Sequence, residues 1–159
     1  MKAYLLTHGE THGGHNPGHT ANGLKQLMKI AREHIAKLEI TEIVLGSGRR
    51  FQDAHACMVP FLPSNLPTKY CLFCGNGDSQ GKDGLIAIQA SGMVPAKDYV
   101  GIANAPGFDA YKFIEGFPPG TLFIAGREFM EALRLEMLHE PGQLYELDTV
   151  NWPRGKKIS

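Results

Sequence analysis

Net charge is the first thing this sequence lacks. Sixteen Lys and Arg are balanced by sixteen Asp and Glu, which excludes a nucleic-acid or anionic-membrane binder held by bulk charge but leaves room for a local phosphate site. No apolar run approaches the roughly 20 residues needed to span a bilayer. The opening Met1-Lys2-Ala3-Tyr4-Leu5-Leu6-Thr7-His8 turns polar too soon for a signal peptide. Cysteine is scarce, and three of them make no disulfide framework, so a cytoplasmic protein is expected. Internal repeats and low-complexity segments are absent as well. What the chain has in quantity is glycine (19) and proline (10), most of them after residue 60, which makes the second half loop-rich. With 43% hydrophobic and 20% charged residues, the 159-residue chain suits one globular domain, expected over 1–150 with 151–159 as a C-terminal tail.

Ala3 to Thr7 is an apolar run without polar alternation, the mark of a strand buried on both faces. A loop rich in Gly and His follows as far as His19. From Asn22 the spacing of Leu24, Leu27, Met28, Ala31, Ile35 and Leu38 predicts a helix, with Thr20 or Asn22 as its cap. Glu42 to Leu45 reads as a second buried strand, and Arg49 to about Val59 as a helix stopped by Pro60. Further strands are expected at Lys69–Phe73 and Leu85–Ile88, separated by Gly75-Asn76-Gly77-Asp78, and a short helix at Phe108–Phe117. Thr121 to Ala125 is a strand and Arg127 to Leu138 a helix carrying Phe129, Met130, Leu133 and Met137 on one face, with Phe123 and Phe129 in the core. Gln143 to Leu147 is the last strand. This alternation predicts an α/β three-layer sandwich, a mostly parallel sheet with helices on both faces.

Ligands in such sheets bind beyond the carboxyl ends of the strands. Three strands deliver three loops there: Thr7-His8-Gly9-Glu10-Thr11, Gly46-Ser47-Gly48-Arg49-Arg50 and Ala125-Gly126-Arg127-Glu128. Guanidinium forks and the free N–H groups of helix starts suit a phosphate or carboxylate. Taken singly each residue is an ordinary surface residue; together they predict an anion site.

The run Leu5-Leu6-Thr7-His8-Gly9-Glu10-Thr11 resembles the opening motif of the histidine phosphatase superfamily, two hydrophobics followed by Arg-His-Gly-Glu-Thr. His19 to Gln26 is similar to that family's Leu-Thr-x-x-Gly-x-x-Gln helix start, and Ile43 to Arg50 to its strand followed by Ser-Ser-Pro-Leu-x-Arg-Ala. Thr121–Leu133 and Pro141–Asp148 are similar to its late strand and helix and to its closing strand. The resemblance implies a phosphoglycerate-mutase-like fold and a phosphohydrolase or phosphoryl-transfer enzyme acting on a small phosphomonoester, with a small phosphorylated molecule or inorganic phosphate as its partner. His8 would be the nucleophile that becomes phosphohistidine, and Arg50 the clamp, with Arg49 the alternative register. Thr7, Gly9, Ser47 and Arg127 would line the substrate, and Asp78 or Asp83 would be the general acid. It calls for no metal and no cofactor, because arginines supply the charge. Two positions depart from the pattern: Thr7 stands for the Arg before the nucleophile, and Ala125-Gly126-Arg127 holds no second His. Each lost electrostatic donor costs roughly 10²–10³ in rate, so the alternative is a phosphate-ligand-binding or interaction module that keeps the fold without turnover.

Two metal-like sets compete with this reading. His8, His12, His15 and His19, with Glu10 among them, form either a metal site or a mobile polar loop over the anion site. His55, Cys57, Cys71 and Cys74 make a zinc-like list, the basis of a third reading as a zinc-stabilised module. On a helix, however, His55 and Cys57 would point about 200° apart. Trp152 in the basic tail reads as docked, with a frayed terminus beyond it. The sequence leaves oligomeric state open.

Overall fold

The computed structural model describes residues 1–14, 17–46, 48–71, 74, 109–135, 141–151 and 155–159. In chain order these form β1 (Lys2–Thr7), α1 (Ala21–Glu33), β2 (Glu42–Leu45), α2 (Arg49–Met58), β3 (Thr68–Tyr70), α3 (Ala110–Glu115), β4 (Thr121–Ala125), α4 (Arg127–Ala132), β5 (Leu144–Asp148) and β6 (Gly155–Lys157). Single 3-10 turns follow α1 and α2, the second of them containing Pro60. The six strands lie in the order β3-β2-β4-β1-β5-β6. The first four in that order are mutually parallel, β5 pairs antiparallel with β1, and β6 pairs antiparallel with β5. The sheet is therefore mostly parallel, as expected.

Alternation along the strands divides the core in two. Leu6, Ile43, Leu45, Leu122 and Ile124 face α1 and α2, where Leu27, Ile30, Phe51, Ala54 and Met58 cover them. Leu5, Val44, Phe123, Ala125 and Tyr145 face the other way, onto Ala110 and Ile114 of α3 and Phe129 and Met130 of α4. Phe123 and Phe129 stack with ring centroids 5.4 Å apart in that second core. Helices on both faces complete the three layers.

Several local expectations need correction. Thr20, not Asn22, caps α1, its hydroxyl oxygen accepting from the Gly23 N–H at 3.0 Å. The buried face of α1 is Gly23-Leu27-Ile30-Ala31, whereas Leu24 and Met28 are 37% and 43% exposed. The cause is backbone contact: a Cβ on Gly23 would overlap the main chain of Glu10, and one on Gly9 would lie 2.5 Å from the Gly23 carbonyl oxygen. This approach rotates α1 until Gly23, rather than a leucine, faces the loop after β1. Helix α4 ends at Ala132, earlier than Leu138, because Arg134 adopts φ 54. The Leu135 N–H then turns back to the Met130 carbonyl at 3.1 Å, a Schellman-type stop. The tail does not fray at 155–157, which pair with β5 as the edge strand β6. The expected strand Leu85–Ile88, the end of the strand predicted at Lys69–Phe73, Met137 and Trp152 lie outside the described residues.

Replacing a helical glycine by alanine ordinarily stabilises a helix by about 1 kcal/mol. Gly23→Ala is expected to do the reverse, destabilising the protein by about 1–3 kcal/mol through overpacking against Glu10. Chemical denaturation of the two proteins checks the sign.

Candidate active site

Because β4 lies between β1 and β2, the loops that leave the carboxyl ends of these strands are neighbours. The Gly46 N–H donates to the Ile124 carbonyl at 3.1 Å, joining the second loop to β4. A fourth segment arrives that the sequence did not announce. Since β5 is antiparallel, it begins at this same end, and the Gly142 N–H donates to the His8 carbonyl at 2.8 Å.

Gly9 is the hub of the site. The peptide before it is bonded at both ends: its carbonyl, on His8, takes the Gly142 N–H, and its own N–H donates to His19 Nε2 at 2.8 Å. The peptide after it is bonded likewise. The Gly9 carbonyl lies 2.8 Å from His8 Nδ1, and the Glu10 N–H donates to Gln26 Oε1 at 3.0 Å. Glu10 adds a further latch, its carboxylate accepting from the Thr20 hydroxyl at 2.8 Å and from the Asn22 amide at 3.4 Å.

A carbonyl oxygen only accepts, so the 2.8 Å contact places the proton of neutral His8 on Nδ1 and the lone pair on Nε2. Burial holds His8 below the usual histidine value of 6.5; the Gly9 bond opposes this, and the Arg50 and His19 charges add to it. The imidazole is thus neutral at neutral pH, with Nε2 available as a nucleophile. Phe51 meets the His8 ring edge-on at 6.0 Å between centroids and carries the Arg50 guanidinium over its face at 4.4 Å. A Cβ on Gly126 would touch the same ring at 3.2 Å, so Phe51 fills the space beside the β4 loop.

The remaining candidates are placed as follows. Arg49 is exposed, lies against Gly18 and pairs with Asp53 at 4.0 Å. Thr7 is 6% exposed and bonded to Gln143: its hydroxyl oxygen accepts the Gln143 N–H at 2.8 Å, and its own N–H donates to the Gln143 carbonyl at 2.9 Å. Arg127 begins α4 directly after the β4 loop. Ser47, Asp78 and Asp83 lie outside the described residues. His19, Phe51, Asp53 and Gln143 were missed as site residues. Gln26 and His19 belong to the quoted helix-start motif, whose spacing could have pointed to both. Gln143 is 2% exposed, its Oε1 accepting from the Tyr145 hydroxyl at 3.0 Å while Nε2 has no partner among the described residues.

Neither metal-like set is brought together among the described residues, and His15 lies outside them. His19 is buried and tied to the backbone, and Thr11 and His19 form a β-bridge, so this end of the histidine loop is neither a mobile polar segment nor a free ligand. The zinc-like list is split by the sheet, with Cys71 and Cys74 in the α3/α4 core and Cys57 packed against the α1/α2 core. Among the described residues no group of three or more His, Cys, Asp or Glu is placed to hold a metal ion.

No family model and no curated protein matches the sequence. Solved structures do. YhfR from Bacillus stearothermophilus superposes with a TM-score of 0.61 at 11% identity, covering 99% of this chain and 95% of that one. Phosphoserine phosphatase from Entamoeba histolytica gives 0.59 at 12% identity, with the same coverage. The mycobacterial glucosyl-3-phosphoglycerate phosphatase gives 0.56 at 13% identity, over 99% and 96%. The chain has the phosphoglycerate-mutase-like fold. Within that fold His8 occupies the end of the strand β1 that pairs with the central β4. No helix among the described residues is long and apolar enough to cross a membrane.

Two measurements test this geometry. Thr7→Val keeps the shape but leaves the buried Gln143 N–H without an acceptor, and is expected to cost about 1–3 kcal/mol in chemical denaturation; an unchanged stability would contradict the pairing. The second concerns pH. Burial lowers His8, His19 and His55 below 6.5, so below that value the unfolded chain binds more protons than the folded one. Stability is then full above pH 6.5 and falls as the pH drops toward the lowered folded values. Thermal melts on the acid side of neutrality check the sign, which would reverse if these histidines gained protons on folding.

Proposed function

We propose that the chain is a phosphohydrolase or phosphoryl-transfer enzyme acting on a small phosphomonoester through a phosphohistidine at His8. The observation that carries this reading is the 2.8 Å contact of His8 Nδ1 with the Gly9 carbonyl, which leaves a neutral Nε2 free to attack. In the first step Nε2 forms a bond to phosphorus as the ester P–O bond breaks, and the leaving oxygen takes a proton from a general acid, for which Asp78 and Asp83 are the candidates. In the second step that carboxylate takes a proton from water as the water oxygen attacks phosphorus, the N–P bond breaks, and phosphate leaves with His8 and the general acid restored. Arg50, held on the face of Phe51, is positioned near His8 to offset charge on the transferring group. Ser47, Gly9, Arg127 and Arg49 complete the proposed oxyanion surroundings, and no metal is required. The named phosphatases that share the fold support the same chemical class. The three cysteines are free thiols, which fits work in the reducing cytoplasm.

A second reading is favoured by one observation. Thr7 stands where the resemblance expects a guanidinium, and its hydroxyl is committed to Gln143. A module that binds a phosphorylated ligand without turning it over would need only the remaining oxyanion contacts.

Incubation with a radiolabelled phosphomonoester is expected to give an acid-labile phosphoenzyme on His8, absent in His8→Ala, together with loss of aryl phosphate hydrolysis in that variant. Binding of inorganic phosphate with no labelling and no hydrolysis by the wild type would favour the second reading.

A further inference from the structure

His19 has a fully buried side chain next to the proposed nucleophile, its ring 6.1 Å from that of His8 in an edge-on arrangement. Its bonding fixes its protonation. The Gly9 N–H can only donate, so the Nε2 that accepts it at 2.8 Å carries a lone pair, and the proton lies on Nδ1. Nδ1 faces Asp53 Oδ2 at 3.6 Å, and the same oxygen accepts the main-chain N–H of His19 at 3.3 Å. Asp53 thereby holds the backbone of His19, while Nδ1 lies beyond hydrogen-bond distance of the carboxylate and has no hydrogen-bond partner among the described residues.

The residue held by this acceptor is the one whose carbonyl receives His8 Nδ1–H. A protonated His19 has donors on both nitrogens and no acceptor to offer, so the Gly9 N–H would meet another N–H. The buried amide would then be unpaired, and the loop would shift, taking with it the acceptor that sets the His8 tautomer. The charged groups that face His19 are Asp53, which favours its protonation, and Arg50, which opposes it; His8 is its titratable neighbour and Arg49 shares Asp53. Burial outweighs Asp53 and holds His19 below 6.5.

We propose that His19 is a positioning residue for His8: by accepting the Gly9 N–H through Nε2 it fixes the carbonyl that holds the His8 ring, and its protonation releases both. This rests on the reading of His8 as nucleophile. The site is then switched off in acid by two protonations, one on His8 and one on His19.

Two substitutions separate positioning from bulk. In His19→Gln the amide oxygen can replace Nε2 as acceptor but does not titrate; His19→Leu fills the space with no acceptor. With p-nitrophenyl phosphate as substrate, His19→Leu is expected to lose about 10–100-fold in kcat with little change in KM, the scale of a catalytic group misplaced by an ångström. His19→Gln is expected to recover most of that loss. The acid limb of log kcat/KM should fall with two protons in the wild type and one in His19→Gln. A wild-type kcat in His19→Leu, or a limb of the same slope in wild type and His19→Gln, would overturn the proposal. Should His19→Leu not fold, the slope comparison decides alone. Should the wild type hydrolyse no aryl phosphate, the phosphatase reading fails separately, and NMR of the intact protein still judges His19. A Gly9 amide resonance that moves with His19 titration, together with a change in the His8 tautomer, supports it; a Gly9 resonance insensitive to that titration refutes it.

Discussion

The close approach of the Gly9–Glu10 backbone to Gly23 is the constraint on which this end of the molecule depends. Neither glycine tolerates a Cβ there. Once the two backbones touch, the start of α1 lies beside the loop, and side chains there hold Glu10: Gln26 takes its N–H, and Thr20 and Asn22 hold its carboxylate. Each bond alone contributes on the order of 1 kcal/mol. Converging on the residue after Gly9, they restrict the loop that presents the His8 ring. The cost falls on α1, which turns Leu24 and Met28 toward water to bring Gly23 inward.

That cost explains what could and could not be read in the sequence. The strands β1, β2, β4 and β5 were legible because burial on both faces leaves continuous apolar runs, and Pro60 and Pro118-Pro119-Gly120 punctuate the chain where helices stop. The orientation of α1 was not legible, since hydrophobic periodicity cannot know that a glycine is the residue the neighbouring backbone needs. Edge strand β6 was hidden because Gly155-Lys156-Lys157 is polar, as an edge exposed to water permits. The stop of α4 at Arg134 was hidden too, because a non-glycine residue in the left-handed region leaves no compositional mark.

The candidate site divides along the same line. His8, Arg50 and the loops after β1, β2 and β4 were legible from their place at strand ends, and the sheet order makes those loops neighbours. The supporting residues were not. His19 looked like one of four histidines in a polar loop, and only tertiary structure shows its Nε2 bonded to a main-chain N–H. Phe51 reads as an ordinary core residue of α2, yet its ring is at once the platform under Arg50 and the wall beside His8. Gln143 belongs to the distant end of the chain and reaches the site only because β5 runs antiparallel to β1.

The pleat of β1 explains how position 7 can differ from the resembled motif while position 8 keeps its geometry. Successive side chains point to opposite faces of a strand. Thr7 shares a face with Leu5 and is bonded to Gln143 beside the α3/α4 core. His8 turns to the other side, where Phe51 and His19 from the α1/α2 layer surround it. A threonine that locks β1 to β5 therefore removes a positive charge without touching the bonds that hold the His8 ring. Geometry and electrostatics are separable at this site. The tautomer and neutrality of His8 follow from Gly9 and from burial, which the change at position 7 leaves alone, whereas stabilisation of a transferring phosphoryl group depends on how many donors converge on it. On the proposed reading of His8 as nucleophile, a missing donor of that kind would lower the rate by roughly 10²–10³ and leave the His8 ring in place, so substitution at position 7 would bear on speed and affinity more than on the order of the chemical steps.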